Sequence, residues 1–573
     1  MDDQTETLAF LAHPESFGAR GRVERIDTHI SHVFLAGDRA YKLKRAVRYS
    51  YLDYSTVERR RHFCLAELAV NRRFAPNLYL GLRPVLRTPD GLTLGPEWAA
   101  GEDEPPLPPD QVVDWLLVMR RFDQDALLDR MATQGRLTPQ LMLDLADRLA
   151  RLHRAQPGRA EGGGAQGLAE AIAITRANLK PGDAFSAADI RAWNTKVQAA
   201  LLAQGDLLDT RRDAGRVRDC HGDLHLGNVC LVDGTPTPFD AIEFDPALAC
   251  TDVLYDLAFL LMDLCFRDRP DLASLVLNRY LDLTGEDMAG REGQALGGLP
   301  ALPLFLSVRA AVRAQVTAAA ARRQTTPTQK TAGAVEANRY LQLALDFLRR
   351  DRPRVVAVGG FSGTGKSTLA RALAPLLGTA PGARVLRTDV IRKQLFGLAP
   401  EEPLTNEAYS PAVSAAVYDR LRTQAAACLA AGRSVILDAV FADPAERALA
   451  ADVAAQARVR FTGLWLQAPE AVLAERLHRR SQAAARDAAR DASDADMPVL
   501  LSQMRKGAGE VRWAILDAGP TPATVLRQAE ALLLPPAGEA GRPTAGRPTA
   551  GTPTGRPKAG RMIASPGPFP GMR

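Results

Sequence analysis

At 573 residues, with 46% apolar and 24% charged side chains, the chain is too long for a single core and has the composition of a globular protein of about three or four structural units. No apolar run reaches the ~20 residues of a membrane span, and residues 254–266, the best candidate, are interrupted by Asp256 and Asp263. The formal charge of +6 speaks against nucleic acid more than for it, because five of those charges fall in the terminal residues 536–573 and leave no basic domain to cradle a backbone.

In chain order, residues from about 20 to 105 read as a small mixed α/β lobe, in which 32–44 form two short strands around a Gly37-Asp38 turn. A helix over 56–72 places Phe63, Leu65, Leu68 and Ala69 at helical spacing with Glu67 among them, and Pro76 ends it. Residues 77–82 and 115–119 read as strands, 141–153 as a helix, and the glycine-rich 157–167 as a surface loop. Helical patterns follow at 254–264, 300–320 and 333–349, and Asp351-Arg352-Pro353 punctuates a boundary near 350.

Beyond it, 354–358, 384–389, 434–438 and 461–466 read as strands alternating with helices. That alternation argues for a parallel sheet with crossover helices, which binds ligands at the carboxyl ends of its strands. Residues 536–573 repeat Ala-Gly-Arg-Pro-Thr, cannot bury a core, and read as disordered. The expected division is therefore 1–350, 351–535 and a tail of 536–573.

Two stretches carry chemistry. Gly360-Phe361-Ser362-Gly363-Thr364-Gly365-Lys366-Ser367, followed by Thr368, fits the phosphate-loop pattern between a β-branched strand and a helix. Its backbone N–H groups and the helix dipole suit polyphosphate, Lys366 can reach the β/γ oxygens, and the Ser367 hydroxyl can ligate Mg²⁺. This half is expected to bind a nucleotide.

The second stretch is His221-Gly222-Asp223-Leu224-His225-Leu226-Gly227-Asn228, with Asp240 downstream and Glu243 and Asp245 after it. Phosphoryl transfer needs a carboxylate near the acceptor hydroxyl, an amide oxygen and a second carboxylate on Mg²⁺, and a lysine on the phosphates. Asp223, Asn228, Asp240 and one of Lys42 or Lys44 fill those places, with Glu67 to steady the lysine. The two lysines point to the same side of a strand, so the sequence does not choose between them. Asp252 and Asp256 read as helix caps, and His225 as a residue that orders its loop.

The front motif resembles the aminoglycoside phosphotransferase family of kinase-like enzymes, over residues 20–345. That resemblance implies a two-lobed protein-kinase-like fold, ATP, Mg²⁺ and a small-molecule hydroxyl acceptor, although no clean glycine-rich loop precedes Lys42. The back half, 354–534, resembles the small P-loop kinases of the gluconate kinase, shikimate kinase and zeta-toxin kind.

By that second resemblance Asp389 is a candidate base or substrate ligand, and Arg392 a ligand for an acidic group. Asp438 is similar to a Walker-B acid. Arg476, Arg479 and Arg480 look like lid arginines, with Asp491-Ala492-Ser493-Asp494 in the lid loop. In tandem the two halves resemble a bacterial family described as bifunctional aminoglycoside phosphotransferase-like and ATP-binding proteins. The expected architecture is thus multidomain, α/β and α+β, with a P-loop NTPase domain second.

An acidic N-terminus unlike a secretory signal, and six cysteines with no C-x-x-C pair, lead to the expectation of a cytoplasmic protein with reduced thiols. A regulatory ATPase, with one domain as a sensor and a protein partner, is the second reading.

Overall fold

A tight turn, with Gly37 at φ +61°, folds strand Ser31–Ala36 back on Arg39–Lys44 in the register Val33 to Lys42 and Ala36 to Arg39. In this computed structural model, residues 2–49, 52–99, 109–287, 297–484 and 493–534 are described; Asp491, Ala492 and the tail 536–573 lie outside them. The hairpin belongs to an antiparallel sheet in the order Glu24–Asp27, Ser31–Ala36, Arg39–Lys44, Val112–Arg120, Tyr79–Thr88, Gly91–Leu94, with Trp98–Ala99 also paired to Tyr79–Thr88.

Helix Val57–Phe74 packs on this sheet, its first turn closed by the Thr56 hydroxyl, which accepts from Arg59 N–H. Cys64 and Leu68 of that helix share an apolar cluster with Leu35, Leu82, Trp115 and Leu117 of the sheet.

A helical lobe follows, built from Pro139–Ala155, Gly164–Asn178, Ala187–Asp213, Val253–Phe266, Pro270–Thr284, Leu302–Arg322 and Pro327–Phe347. The loop expected over 157–167 gives way to helix at Gly164, earlier than the glycine content suggests. The helix Ala187–Asp213 lies in a stretch that showed no clear pattern. It buries only Ile190, Trp193, Val197, Leu208 and Arg211 over 27 residues, too sparse a stripe to show as a periodicity. Leu302–Arg322 is long and apolar enough to cross a membrane, but 83% of its most apolar window is buried inside the fold, the setting of a core helix.

In the second half, strands Arg384–Arg387, Val435–Asp438, Arg354–Gly359, Arg460–Gln467 and Ala514–Asp517 lie side by side in that order, every pair parallel. Strand alternation sends Val355 and Ala357 to one face and Val356 and Val358 to the other. The first face continues the apolar cluster of the helical lobe, which runs from Leu257 and Phe305 through Phe347 to Leu437 and Trp465.

The two halves also meet at the sheet edge. Asn278, on helix Pro270–Thr284, behaves there like a neighbouring strand: its amide donates to Ala383 O at 3.2 Å and accepts from Val385 N–H at 2.8 Å. Arg384 is clamped between Asp282 (2.7 Å) and Asp287 (2.6 Å), and Arg279 bridges Asp147 and Glu401.

Candidate functional site

Strand Arg39–Lys44 turns Tyr41 and Leu43 into an apolar cluster and Lys42 and Lys44 to the opposite face. There both lysines meet Glu67, Lys42 Nζ on Oε1 at 2.7 Å and Lys44 Nζ on Oε2 at 2.6 Å. Each then reaches a second acid from the other lobe: Lys42 pairs with Asp240 at 2.7 Å and Lys44 with Glu243 at 2.7 Å. Burial separates the two lysines. Lys44 is 1% exposed and also donates to Tyr54 Oη, whereas Lys42 is 15% exposed beside an Asp240 that is 37% exposed. Lys42 faces the cleft and Lys44 lies beneath it.

Burial alone would raise the Glu67 carboxyl, but the two ammonium groups overcome it and hold it down at about 2. Glu243 goes the other way, because its burial outweighs Lys44. One helical turn beyond Glu67, Asn71 donates to Ala241 O at 3.3 Å and accepts from Ala241 N–H at 2.8 Å, tying this helix to the loop of Asp240. Asp240 itself is left-handed, φ +59°. The turn of residues 28–30, between strands Glu24–Asp27 and Ser31–Ala36, holds no glycine. The Thr28 hydroxyl closes it by donating to Ser31 O and accepting from Ser31 N–H.

The His221–Asn228 segment is held from below by the apolar helix Val253–Phe266. Asp256 accepts from His221 N–H at 3.2 Å, from Gly222 N–H at 2.8 Å and from His153 at 3.2 Å; Asp263, two turns on, accepts from Leu226 N–H at 3.0 Å. Asp252 caps the helix by accepting from Leu254 N–H. Asn228 donates from Nδ2 to Asp223 Oδ2 at 3.0 Å, so these two predicted residues do meet. Burial disfavours the Asp223 anion, yet His225, Arg313 and His221 together hold its carboxyl well below the usual range. His221 is pushed down by burial and donates to Phe239 O at 2.9 Å, and His225 accepts from Gly227 N–H.

Beside this segment, Gly222, Asp245, Tyr255, Phe305 and Arg309 line a cavity of about 300 Å³.

In the second half, Gly360 to Gly365 connect strand Arg354–Gly359 to helix Lys366–Leu373. Gly363, at φ +83°, lies so close to Leu473 that a Cβ would stand 3.0 Å from its carbonyl oxygen. Within the loop, Thr364 Oγ1 donates to Phe361 O, Lys366 Nζ donates to Phe361 O at 3.1 Å, and Ser362 N–H donates to Gln503. Ser367 Oγ donates to Asp438 Oδ2 at 2.6 Å, uniting the serine with the acid that ends the neighbouring strand. Burial lowers the Lys366 ammonium against the pull of Asp438 and Asp389, while Arg480 and Arg387 act in the same direction as burial. Thr368 lines a cavity of about 340 Å³ between the two halves.

The other predicted residues divide. Asp389 opens helix Thr388–Leu395 after the strand has ended at Arg387. Arg392 is buried, donating to Ala408 O at 2.6 Å and Ser414 Oγ at 3.3 Å, with its guanidinium 4.9 Å from the Tyr409 ring centre. Lys393 and Tyr409 both hold Asp494. Arg476 donates to Gly519 O and Pro520 O, Arg479 pairs with exposed Glu475, and Arg480 acts on Lys366. Sequence reasoning missed Arg387, which lies against both Ser367 and Asp438, and Asp263, and it read Asp256 as a helix cap, whereas Asp252 alone caps the helix and Asp256 holds the His221–Gly222 backbone. The signal for Asp256 and Asp263 was present, as acids seven residues apart in an apolar helix.

Fold and sites define a two-domain protein of kinase type, a kinase-like domain followed by a P-loop kinase domain on a parallel sheet. The Phosphotransferase enzyme family matches residues 66–293, a span that contains Glu67, Asp223, Asn228 and Asp240 but begins after both lysines. An AAA domain matches residues 355–507, the P-loop included.

Uncharacterized proteins of Mycobacterium tuberculosis and Mycobacterium bovis are 32% identical over 495 residues, covering 84% of this chain and 90% of theirs. The chain belongs to this two-domain family. Among solved structures it is similar to a choline/ethanolamine kinase family protein from Mesorhizobium loti (14% identity, 59% of this chain and 97% of that one, TM-score 0.34). It is also similar to a sugar kinase from Janibacter sp. (22% identity, 32% and 94%, TM-score 0.23). Each is a likeness of one part of the chain.

Proposed function

We propose that the protein is an ATP-dependent phosphotransferase with two Mg-ATP sites that phosphorylates hydroxyl groups of small molecules. The observation that carries this reading is the meeting of Lys42 from a strand, Glu67 from a helix and Asp240 from a loop, at 2.7 Å contacts between the lobes. In this reading Lys42 takes nucleotide phosphates and ionised Asp223 receives the acceptor's proton. The cavity beside Gly222 admits the acceptor. Asp240 and Asn228 in front, with Ser367 and Asp438 behind, would hold Mg²⁺, which neutralises phosphate charge when bound. The front donor set is oxygen, as Mg²⁺ requires, since Asn228 turns its Nδ2 to Asp223 and keeps Oδ1 for another partner.

In the back domain Lys366 and the loop backbone take the phosphates, and Asp389 and Arg480 stand near the transfer. Arg392, already spent on Ala408 and Ser414, is a weaker substrate ligand than its position in the sequence suggests. A reducing cytoplasm suits the six free cysteines.

The test is ATP consumption by the full-length protein against sugars, sugar acids, nucleosides and aminoglycosides, with Asp223→Ala and Lys366→Ala alongside. An acceptor-dependent rate lost in one variant assigns that domain its substrate class. The second reading, a regulatory ATPase with a sensor domain, is favoured by the Arg384 clamp between the halves. It predicts turnover that no small acceptor stimulates and that is lost only in Lys366→Ala.

A further inference from the structure

The two oxygens assigned to a divalent ion in the back domain already have a cation of the chain against them. Arg387 donates from Nη2 to Ser367 Oγ at 3.1 Å and from Nε to Asp438 Oδ2 at 3.2 Å. The backbone dictates this placement. Arg387 and Asp438 are register partners on adjacent parallel strands, both at the carboxyl ends, so their side chains share a face. The strand is pinned at its other end, where Arg384 is clamped by Asp282 and Asp287 of the front half.

At 8% and 4% exposure the arginine and acid are largely desolvated, so solvent screens their attraction little. A guanidinium cannot shed its proton to make room for a metal. A divalent ion entering between Ser367 and Asp438 therefore has to draw Asp438 away from a permanent positive charge.

We propose that Arg387 is a positioning residue that shares the Ser367 and Asp438 oxygens with the divalent ion and thereby sets how far nucleotide binding at the P-loop depends on that ion. The inference rests on the reading of this loop as a nucleotide site. Without metal, Arg387 supplies positive charge at the cradle alongside Lys366. With metal, it cedes Asp438 and remains close enough to face the phosphates. The native site thus binds nucleotide with a weak requirement for Mg²⁺, and loss of the arginine makes the ion necessary.

The experiment measures binding of ribose-labelled fluorescent ATP to the full-length chain in Mg²⁺ and in EDTA, taking as the P-loop component whatever Lys366→Ala removes. In the native protein that component changes by no more than about threefold between the two conditions, and in Arg387→Ala it falls by about tenfold or more in EDTA and returns with Mg²⁺. In parallel, Mn²⁺ binding without nucleotide tightens in Arg387→Ala, because Asp438 is released. Arg387→Lys keeps the charge without the fork, lies between the two, and serves if the alanine variant is unfolded by circular dichroism.

Equal metal dependence in native and both variants, with unchanged Mn²⁺ affinity, overturns the proposal. Unchanged nucleotide binding in Lys366→Ala overturns instead the reading of the loop itself.

Discussion

Lys42 Nζ stands 2.7 Å from Asp240 Oδ1, so a cation of the small sheet and an acid of the helical lobe join across the cleft. Two residues along the strand Lys44 repeats the contact with Glu243, and Glu67 gives one oxygen to each lysine. The outer rung is the more exposed of the two, and the inner rung is buried.

The two lysines should therefore fail differently. Lys42→Met is expected to weaken nucleotide binding at the front site by about tenfold or more and to cost less stability than the loss of Lys44, because its partner Asp240 is 37% exposed and Glu67 keeps Lys44. Lys44→Met leaves Glu67 and Glu243 short of a buried partner and is expected to cost about 3–5 kcal/mol of stability. Thermal unfolding with labelled-ATP titration separates them, and equal losses in both assays would remove the distinction.

Acid should act on the same network with a definite sign. The Glu67 carboxyl is held at about 2 when folded, below its usual 4.5, so its contribution is complete above pH 4.5 and is lost as pH falls toward 2. Glu243 is raised, so it works oppositely and above pH 4.5. Glu67→Gln is expected to be less stable at pH 7 and to show a flatter loss between pH 4.5 and 2. Urea midpoints measured across that range check it, and parallel slopes would contradict it.

Asp256 should prove to be the support of the His221–Asp223 segment. Asp256→Leu strips acceptors from two buried N–H groups and is expected to cost about 2–6 kcal/mol, at about 1–3 kcal/mol for each unpaired donor. Asp256→Asn keeps one acceptor oxygen and should lose less. Amide exchange at His221 and Gly222 should accelerate in the leucine variant, and protection unchanged there would show that the loop is held by other groups.

The parts of this architecture visible in the sequence are those encoded locally. The phosphate loop is contiguous, and strand alternation, helical spacing and the His-x-Asp…Asn spacing each need only a few residues to show. What stayed hidden depends on distant partners. Lys42 and Lys44 differ only through what buries them, and Arg387 gains its place only when it lies in register beside Asp438, 51 residues away in sequence. The resemblance assigns Arg392 to an acidic substrate group and Arg476 to a lid, and backbone carbonyls further along the chain claim them.

The same dependence on distant partners makes Arg384 the sharpest test of how the halves are joined. It is 4% exposed and meets Asp282 and Asp287 from a segment about a hundred residues earlier, with Asn278 Oδ1 at 3.2 Å as a third acceptor. Arg384→Ala leaves two acids uncompensated between the domains, which is expected to cost about 3–5 kcal/mol. That cost falls on the contact and spares both cores, so calorimetry should show one melting transition resolving into two. Adding Asp282→Asn and Asp287→Asn removes the stranded charge and should recover part of the loss, whereas a single transition at the native temperature in Arg384→Ala would mean that the shared apolar cluster, and not this clamp, holds the halves together.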